Sequence, residues 1–320
     1  MVLKQLFSYK LFFLLLINWS LINAQDQVYE IEGNKYLYSK PNAFDFILNM
    51  PTTFASVGSS MFNKEYTVPN IIIGTSTAAF ILVDQPVYDQ VSEWGRQWGL
   101  GNGDNTKTVL TVGGYPLFRG PTDWGSAMYF LGDGWTHLGL GLSFLTAGLI
   151  NDDNRALQTA SQIAQGMLTV GFTTQFMKHI FGRETPGKAT STAGKWRFFP
   201  NQIDYHKHVP KYDAFPSGHV ATAMMTLTVI ANNYEEYKWI NPVGYGLITV
   251  LSFQMINNGV HWISDYPLAL GIGYLFGKII VDSGRKKLND NVLTKEKVSY
   301  SIFPQIGLDN SYRLSFHLTF

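Results

Sequence analysis

A histidine that precedes an apolar run is the first residue of the sequence with a clear chemical use. His219 ends the motif Pro216-Ser217-Gly218-His219, and apolar residues follow it directly. Ser217 can cap a helix, Gly218 lets a ligand approach the backbone, and the free N–H groups of a helix start attract anions. A histidine in this position could protonate a leaving oxygen. Taken alone, however, the motif is more typical of an ordinary structural turn.

A second histidine, His261, lies four residues before Asp265. This spacing can bring the imidazole and the carboxylate together, and a carboxylate can fix the tautomer and orientation of a nucleophilic or basic histidine. Ser264 and Pro267 indicate that another helix begins here. The alternative is an aspartate that only caps this helix, beside a histidine of the core.

A basic segment precedes the first motif. From Lys178 to Lys211 the chain has seven Lys or Arg residues and two acidic residues. Most such clusters are solvated surfaces. This one lies between apolar stretches and directly before Pro216, where a phosphate-binding loop would lie.

Six apolar stretches of helical length would have to position these motifs. They cover residues 70–83, 129–150, 156–177, 215–234, 239–260 and 266–281. Some reach the roughly 20 residues that cross a bilayer, whereas others are short, polar or interrupted by charge. Together they predict an all-α fold, a bundle of about six core helices, with a short C-terminal β-hairpin.

The ends of the chain predict the domain organisation. Residues 1–24 have a basic start, an apolar centre and a small residue at the end, which is typical of a signal peptide; an N-terminal membrane anchor is the alternative. Residues 25–66 are interpreted as a lead-in segment, 67–282 as the bundle domain and 283–297 as a charged linker. The alternating apolar residues of 298–320 predict the hairpin.

Composition limits the classes of function. Charged residues make up 15% of the chain, below the roughly 25% of typical soluble domains, so that contact with a membrane is compatible with the sequence. Cysteine is absent, which excludes disulfides, a Cys-ligated zinc and a thiol nucleophile. Removal of residues 1–24 takes away two lysines and no acid, and the formal net charge goes from +1 to −1. We therefore expect no nucleic-acid partner.

The three motifs, in this order, resemble the type 2 phosphatidic acid phosphatase and vanadium haloperoxidase superfamily. That family carries a Lys, six residues and Arg-Pro, then Pro-Ser-Gly-His, and then Ser-Arg, five residues, His, three residues and Asp. Here Lys178 and Pro186 match the first motif, residues 216–219 match the second in full, and His261 and Asp265 match the third.

Two departures from the family pattern lie within the matching segment, about residues 130–281. Thr185 stands where the arginine before the proline is expected, and Gln254-Met255 stands where Ser-Arg is expected. Both missing arginines are phosphate ligands in the family. Their loss puts full catalytic power and the usual substrate preference in question.

The resemblance implies a phosphatase that needs no metal or other cofactor and works through a phosphohistidine. His261 would attack phosphorus, Asp265 would orient it, and His219 would protonate the leaving alkoxide and then activate water. The phosphoryl oxygens would be held by Lys178, the Ser217 hydroxyl and the Gly218 N–H. Lipid phosphates and pyrophosphates are the usual substrates of the family, and soluble phosphomonoesters are the second choice.

Arg183 is the residue that we expect to compensate for Thr185. Five residues after Lys178, it would point away from the site on a continuous helix, but Gly182 is suited to end the helix. We therefore predict that Arg183 turns into the site from a non-helical segment and binds phosphate. Its loss should then slow turnover without unfolding the chain.

The other cations of the basic segment are weaker candidates to replace the family arginine that is missing at Met255. They are Lys188, Lys195 and Arg197. For Arg183 itself, the alternative is a surface ion pair with an acid such as Glu184 or Asp204.

Three other functions remain open at this point. The chain could be a non-catalytic binder of phosphate or lipid head groups, a vanadate-dependent haloperoxidase, or a structural protein of the cell envelope. The two retained histidines argue against a simple binder, and the missing arginines argue against tight binding of vanadate.

The signal-like start of the chain implies export to the periplasm or cell envelope. The polar character of stretches 129–150 and 156–177 favours incomplete spanning of a membrane. We expect a soluble or partly embedded protein whose site faces the periplasm. The sequence leaves the oligomeric state open.

Overall fold

The computed structural model describes residues 25–288 and two further strands, Ser299–Ile306 and Tyr312–Thr319. The predicted signal peptide, residues 1–24, and the second part of the predicted linker lie outside the described residues. The described part is mainly helical, with small sheets at its edges. The all-α fold predicted from the sequence is therefore confirmed.

The helices and strands follow one another along the chain in the order of the three motifs, and the longest connection, residues 182–201, follows the helix that carries Lys178. The helices are α1 (Asp45–Leu48), α2 (Met50–Ser60), α3 (Lys64–Ile81), α4 (Asp84–Gln97), α5 (Trp124–Phe130), α6 (Gly134–Asn151), α7 (Asn154–Phe181), α8 (Gln202–Lys207), α9 (Gly218–Asn233), α10 (Ile240–Asn257) and α11 (Tyr266–Gly284). The strands are β1 (Gln27–Ile31), β2 (Asn34–Tyr38), β3 (Thr106–Val112), β4 (Tyr115–Pro121), β5 (Lys286–Leu288), β6 (Ser299–Ile306) and β7 (Tyr312–Thr319).

The core of the bundle lies where α7, α9, α10 and α11 meet. Each of these helices contributes fully buried apolar side chains, among them Val170, Val220, Leu251 and Phe276. A small residue lets α9 and α11 approach closely, because a Cβ added at Gly273 would lie only 2.3 Å from the carbonyl oxygen of Ala221. Burial of these apolar stripes is the main source of stability for a bundle of this kind.

The predicted apolar stretches correspond to helices, with one exception. Stretch 129–150 is divided between α5 and α6, because the carboxylate of Asp133 accepts a hydrogen bond from the backbone N–H of Trp135 (2.8 Å) and caps a new helix. Helix α3 begins at Lys64 and so crosses the predicted boundary between the lead-in segment and the bundle domain.

The small sheets lie mostly in segments that the sequence left without elements. Strands β1, β2 and β5 form one antiparallel sheet in that order, so the start of the predicted linker, 283–297, is a strand paired with the N-terminal hairpin. Strands β3 and β4 form a second hairpin. At the C-terminus, β6 pairs antiparallel with β7, from Ser299 opposite Thr319 to Ile306 opposite Tyr312, which is the predicted hairpin.

Length and hydropathy give no membrane-crossing helix among the described residues when each helix is taken alone. The pair α3 and α4, bent by 72° at a short break, meets these criteria only when both helices are taken together.

Candidate active site

The Pro-Ser-Gly-His motif forms the start of α9, as its residue types predict. Ser217 is the N-cap, and its hydroxyl oxygen accepts from the backbone N–H of Val220 at 3.4 Å. A Cβ added at Gly218 would lie 4.0 Å from Nζ of Lys178 and 3.6 Å from the hydroxyl of Thr174. The last part of α7 therefore brings the Lys178 ammonium to the helix start, where free N–H groups already favour an anion.

His261 is held in one tautomer. It is buried, and its Nδ1 lies 2.6 Å from the carbonyl oxygen of Ala214 and 3.3 Å from Oδ2 of Asp265. A carbonyl oxygen can only accept, so Nδ1 carries the hydrogen and Nε2 carries the lone pair. Among the described residues, Nε2 has no hydrogen-bond partner, which leaves a nucleophilic nitrogen available.

His219 lies close enough to this group to interact with it electrostatically. Burial, and then the charges of His261 and Lys178, lower the pKa of His219 to about 3, against a smaller opposite effect of Asp213. Its ring also packs against Tyr129, with 5.0 Å between the ring centroids. The structure therefore brings both histidines and the lysine of the three motifs together, and His219 is neutral at pH 7 in the empty site.

Asp265 joins the second and third motifs. Its Oδ2 accepts from the backbone N–H of Trp262 at 2.7 Å, and its backbone carbonyl accepts from the N–H of Ser217 at 3.3 Å. Because the nearer partner of His261 is the Ala214 carbonyl, the aspartate shares the task of orienting the imidazole with the backbone. The sequence pattern contained no sign of this carbonyl.

Arg183 turns inward, but not towards phosphate, which corrects the prediction from the sequence. Helix α7 ends at Gly182 in the left-handed conformation (φ 53°), as predicted, and Arg183 is fully buried. Its Nη1 donates to Asp265 Oδ1 (2.6 Å) and Ser264 (2.7 Å), and its Nη2 donates to Asp84 and to a backbone carbonyl. All four terminal hydrogens are used. Only Nε lacks a partner among the described residues.

The acids that bind Arg183 also differ from those proposed as its surface partners. Asp84, at the start of α4, is fully buried and also accepts from the Ser264 hydroxyl at 2.7 Å. Glu184 instead binds Arg197 at 2.6 Å. Burial raises the pKa of Glu184, but hydrogen bonds from the backbone of Thr190 and Lys195 and from Arg197 outweigh this effect and lower the pKa to about 2.

The remaining candidate cations of the basic segment do not replace the family arginine that is missing at Met255. Lys188 and Lys195 are exposed, and Arg197 is committed to Glu184. Met255 is itself fully buried, with Sδ 3.9 Å from the Ser217 hydroxyl oxygen. The position of the family arginine is therefore next to the helix start, but an apolar thioether occupies it.

Asp213 is a member of the site that the sequence analysis missed. Its Oδ2 accepts from Nζ of Lys178 at 2.9 Å, and its Oδ1 accepts from the hydroxyl of Tyr205 at 2.7 Å. An acid three residues before Pro216 carries no spacing signal that would identify it. In the empty site, Asp213 neutralises Lys178, the one cation that the described contacts place at the start of α9.

The fold and the site define an all-α protein with a buried histidine (His261), a half-buried histidine (His219) and a lysine at a helix start. Among the described residues, no cluster of three His, Cys, Asp or Glu side chains could hold a metal ion. The family model of the PAP2 superfamily matches residues 160–288, which include all three motifs. The match agrees with the resemblance seen in the sequence motifs and supports a phosphatase-type function.

One solved structure shares a distant likeness with the chain. It is the crystal structure of a transmembrane PAP2-type phosphatidylglycerolphosphate phosphatase from Bacillus subtilis, with 12% sequence identity and a TM-score of 0.38. The alignment covers 79% of this chain and 100% of that chain. At this level the likeness carries no argument about the site. No curated protein sequence matches the chain.

Proposed function

We propose that the protein is a metal-independent phosphatase that cleaves a phosphate ester through a phosphohistidine at His261. The observation that carries this proposal is the hydrogen bond from Nδ1 of His261 to the Ala214 carbonyl, because it leaves the Nε2 lone pair free for attack. The N–P bond forms as the P–O bond to the leaving group breaks. The carboxylate of Asp265, 3.3 Å from Nδ1, stabilises the positive ring that results.

The phosphoryl oxygens are bound at the start of α9. Lys178 supplies the positive charge, and the N–H groups of the first turn supply aligned donors. The Ser217 hydroxyl accepts from Val220, and its own hydrogen faces only the weak acceptor Sδ of Met255. It is therefore free to donate to a phosphoryl oxygen.

His219 acts as general acid and then as general base. It donates a proton to the leaving oxygen in the first step. In the second step, it takes a proton from the water that attacks phosphorus and breaks the N–P bond. Because its pKa in the empty site is about 3, the proton has to arrive with the substrate, and the bound phosphate raises the pKa of the ring through its negative charge.

This proton balance predicts an acidic pH optimum. A phosphate monoester carries the required proton below its second pKa of about 6, while His219 is neutral above its own pKa of about 3. We expect kcat/KM for alkyl phosphates to be highest between these values and to fall by about tenfold per pH unit above roughly pH 6. Rates measured from pH 4 to pH 8 give this profile.

An aryl phosphate with an acidic leaving group provides the control for this prediction. Its leaving oxygen needs little protonation, so its rate should depend less on pH than that of an alkyl phosphate. Equal and flat profiles for both esters would contradict the role of His219.

Asp213 is expected to weaken substrate binding. The variant Asp213→Asn keeps the side-chain volume and an acceptor for Tyr205 but removes the charge paired with Lys178. We expect KM to fall by about threefold to tenfold, because the ammonium is released and a charge repelling the phosphate is lost. Steady-state kinetics with one ester at several concentrations measures this change.

Asp204→Asn is the matched control, since Asp204 lies in the same segment but binds Lys211 and His208 at the surface. Its KM should stay at the wild-type value. A higher KM in Asp213→Asn would mean that the carboxylate serves mainly to position Lys178.

A non-catalytic phosphate binder is the second candidate. The Lys178–Asp213 ion pair and the buried Met255 count against full catalytic power, since both reduce the positive charge that can stabilise the transition state. Two missing hydrogen bonds to a charged group correspond to about 3–6 kcal/mol, or roughly two to four decades of rate. Such a loss still leaves room for catalysis, because phosphomonoester hydrolysis can be accelerated by up to ~10²¹-fold.

Export of the chain and a site that faces the periplasm also belong to this proposal. Support comes from the signal-like residues 1–24 and from exposed apolar side chains on three helices, including Ile72, Leu142 and Phe172. Fractionation after a carbonate wash separates a soluble from an embedded protein. A reactive tag at Lys195 that reacts only from the cytoplasm would reverse the orientation.

The proposed substrates are lipid phosphates or pyrophosphates, followed by soluble phosphomonoesters. A screen for release of inorganic phosphate across these classes tests the function, with His261→Ala as the control. Release by the wild type alone supports the phosphatase. Equal release by the variant, or none by the wild type at any pH, would leave the phosphate binder as the better account.

A further inference from the structure

An apolar cavity opens between α6, α9 and α10. Its volume is about 440 Å³, within the range of small-molecule sites. Its walls are almost entirely hydrocarbon, with side chains such as Phe144, Leu227, Ile230 and Ile248. At its outer end, Trp239 and Val243 are exposed, by 63% and 48%.

Two polar side chains in this wall lack partners. His137 and Thr226 are both about 3% exposed, and neither ring nitrogen of His137 nor the hydroxyl of Thr226 makes a hydrogen bond of ordinary geometry among the described residues, although the Gly132 backbone lies near the imidazole. Buried polar groups nearly always have one, because an unpaired group costs about 1–3 kcal/mol. The two groups therefore mark a place where a ligand atom completes the hydrogen bonds.

Thr226 differs from other buried threonines of the bundle in this respect. Thr228, on the same helix, donates to the carbonyl of Met224 at 2.8 Å, and Thr169 of α7 donates to the carbonyl of Gln165 at 2.9 Å. This bond within the helix is the usual solution for a buried threonine. Thr226 does not make it, and its hydroxyl remains available to the cavity.

His137 is suited to meet an oxygen that both donates and accepts. Burial lowers the pKa of His137 to about 4, against the opposite effect of the Gly132 backbone, so the ring is neutral. A neutral ring offers one N–H donor and one lone pair. A hydroxyl group can satisfy either nitrogen, whereas a cation or a phosphate has no counter-charge in this cavity.

The cavity lies beside the candidate active site. Gly132 separates the two, since a Cβ at this residue would lie 2.8 Å from Cβ of His219 and 2.8 Å from Cδ2 of Leu251. Leu251 also lines the cavity, as does Leu131. A ligand in the cavity would therefore lie close to His219, with Gly132 between them.

We infer that this cavity binds the hydrocarbon chain of an amphiphile, and that His137 and Thr226 hydrogen-bond an oxygen carried by that chain. The apolar walls select the chain, and the two unpaired groups select the oxygen. The inference concerns binding and holds whether or not the neighbouring site is catalytic.

Binding of decanol tests the inference without any measurement of phosphate release. Displacement of the fluorescent probe anilinonaphthalene sulfonate by decanol gives its dissociation constant. We expect the constant to rise by about twofold to tenfold in His137→Phe and again in Thr226→Val, since each loses one hydrogen bond. Ala223→Leu, which fills the cavity, should bind decanol more weakly still, whereas Ala147→Leu on the outer surface of α6 should match the wild type.

Thermal unfolding separates this role from a purely structural one. If His137 stays unpaired until a ligand binds, His137→Phe removes an unpaired polar group and should raise the melting temperature of the empty protein. A lower melting temperature in this variant would overturn the inference. So would decanol binding that is unchanged in both His137→Phe and Ala223→Leu, because the probe would then report another apolar surface or contact between copies of the chain.

Discussion

Replacement of Arg183 by leucine is expected to lower the free energy of unfolding by about 3–5 kcal/mol. The guanidinium bridges the buried carboxylates of Asp84 and Asp265 and also binds Ser264. Its removal leaves two buried charges without their counter-ion. Equilibrium unfolding in urea, with the slope checked for two-state behaviour, measures the loss.

Arg96→Leu is the matched control, because Arg96 is exposed in the last turn of α4. The free energy of unfolding of this variant should stay within about 0.5 kcal/mol of the wild-type value. The double variant Arg183→Leu, Asp84→Asn should lose less free energy of unfolding than its two single variants lose together, since the asparagine no longer needs a counter-ion. If Arg183→Leu unfolds at the same urea concentration as Arg96→Leu, the ion-pair network does not exist in solution.

This expectation reverses the one drawn from the sequence. There, Arg183 was a phosphate ligand whose loss would slow turnover without unfolding the chain. With its terminal hydrogens bound by the protein, Arg183 instead positions Asp265, and through it His261. Any loss of activity in Arg183 variants should therefore accompany a loss of stability.

The second large effect concerns His261. We expect His261→Ala to lower phosphate release by at least about 10⁴-fold, because no other group in the site replaces the nucleophile. His261→Gln, which keeps most of the volume, should be equally inactive while its unfolding stays close to that of the wild type. Both variants are compared with the wild type at saturating ester.

His206→Ala provides the matched histidine control, since His206 is exposed and its ring lies beside His179 and Tyr205, outside the candidate site. It should retain full activity. Activity of His261→Gln within about tenfold of the wild type would exclude a covalent role for His261, because a nucleophile cannot be replaced at so small a cost.

The sequence predicted the features of this protein that depend on local signals. Ser217 and Gly218 define a helix start, and Gly182 ends α7. Apolar stretches gave the main helices because burial follows the helical period. The alternating residues near the C-terminus gave the hairpin for the corresponding reason.

Features that depend on tertiary contacts were beyond the sequence. Asp84 lies 99 residues before Arg183 in the chain, so no spacing rule connects them. The pairing of Lys178 with Asp213, across 35 residues, has the same character. The carbonyl of Ala214, which fixes the tautomer of His261, is a backbone group and leaves no trace in the residue types.

Trapping of the phosphoenzyme tests the central claim most directly. The protein is incubated with an ester carrying radiolabelled phosphate, quenched in base, where phosphohistidine survives, and digested for peptide mapping. We expect the label on the peptide that contains His261 and none in His261→Gln. With an aryl ester, whose leaving oxygen needs little protonation, His219→Ala should carry more label than the wild type because water is no longer activated. Release of phosphate by the wild type with no label on His261 at any time point would contradict the account.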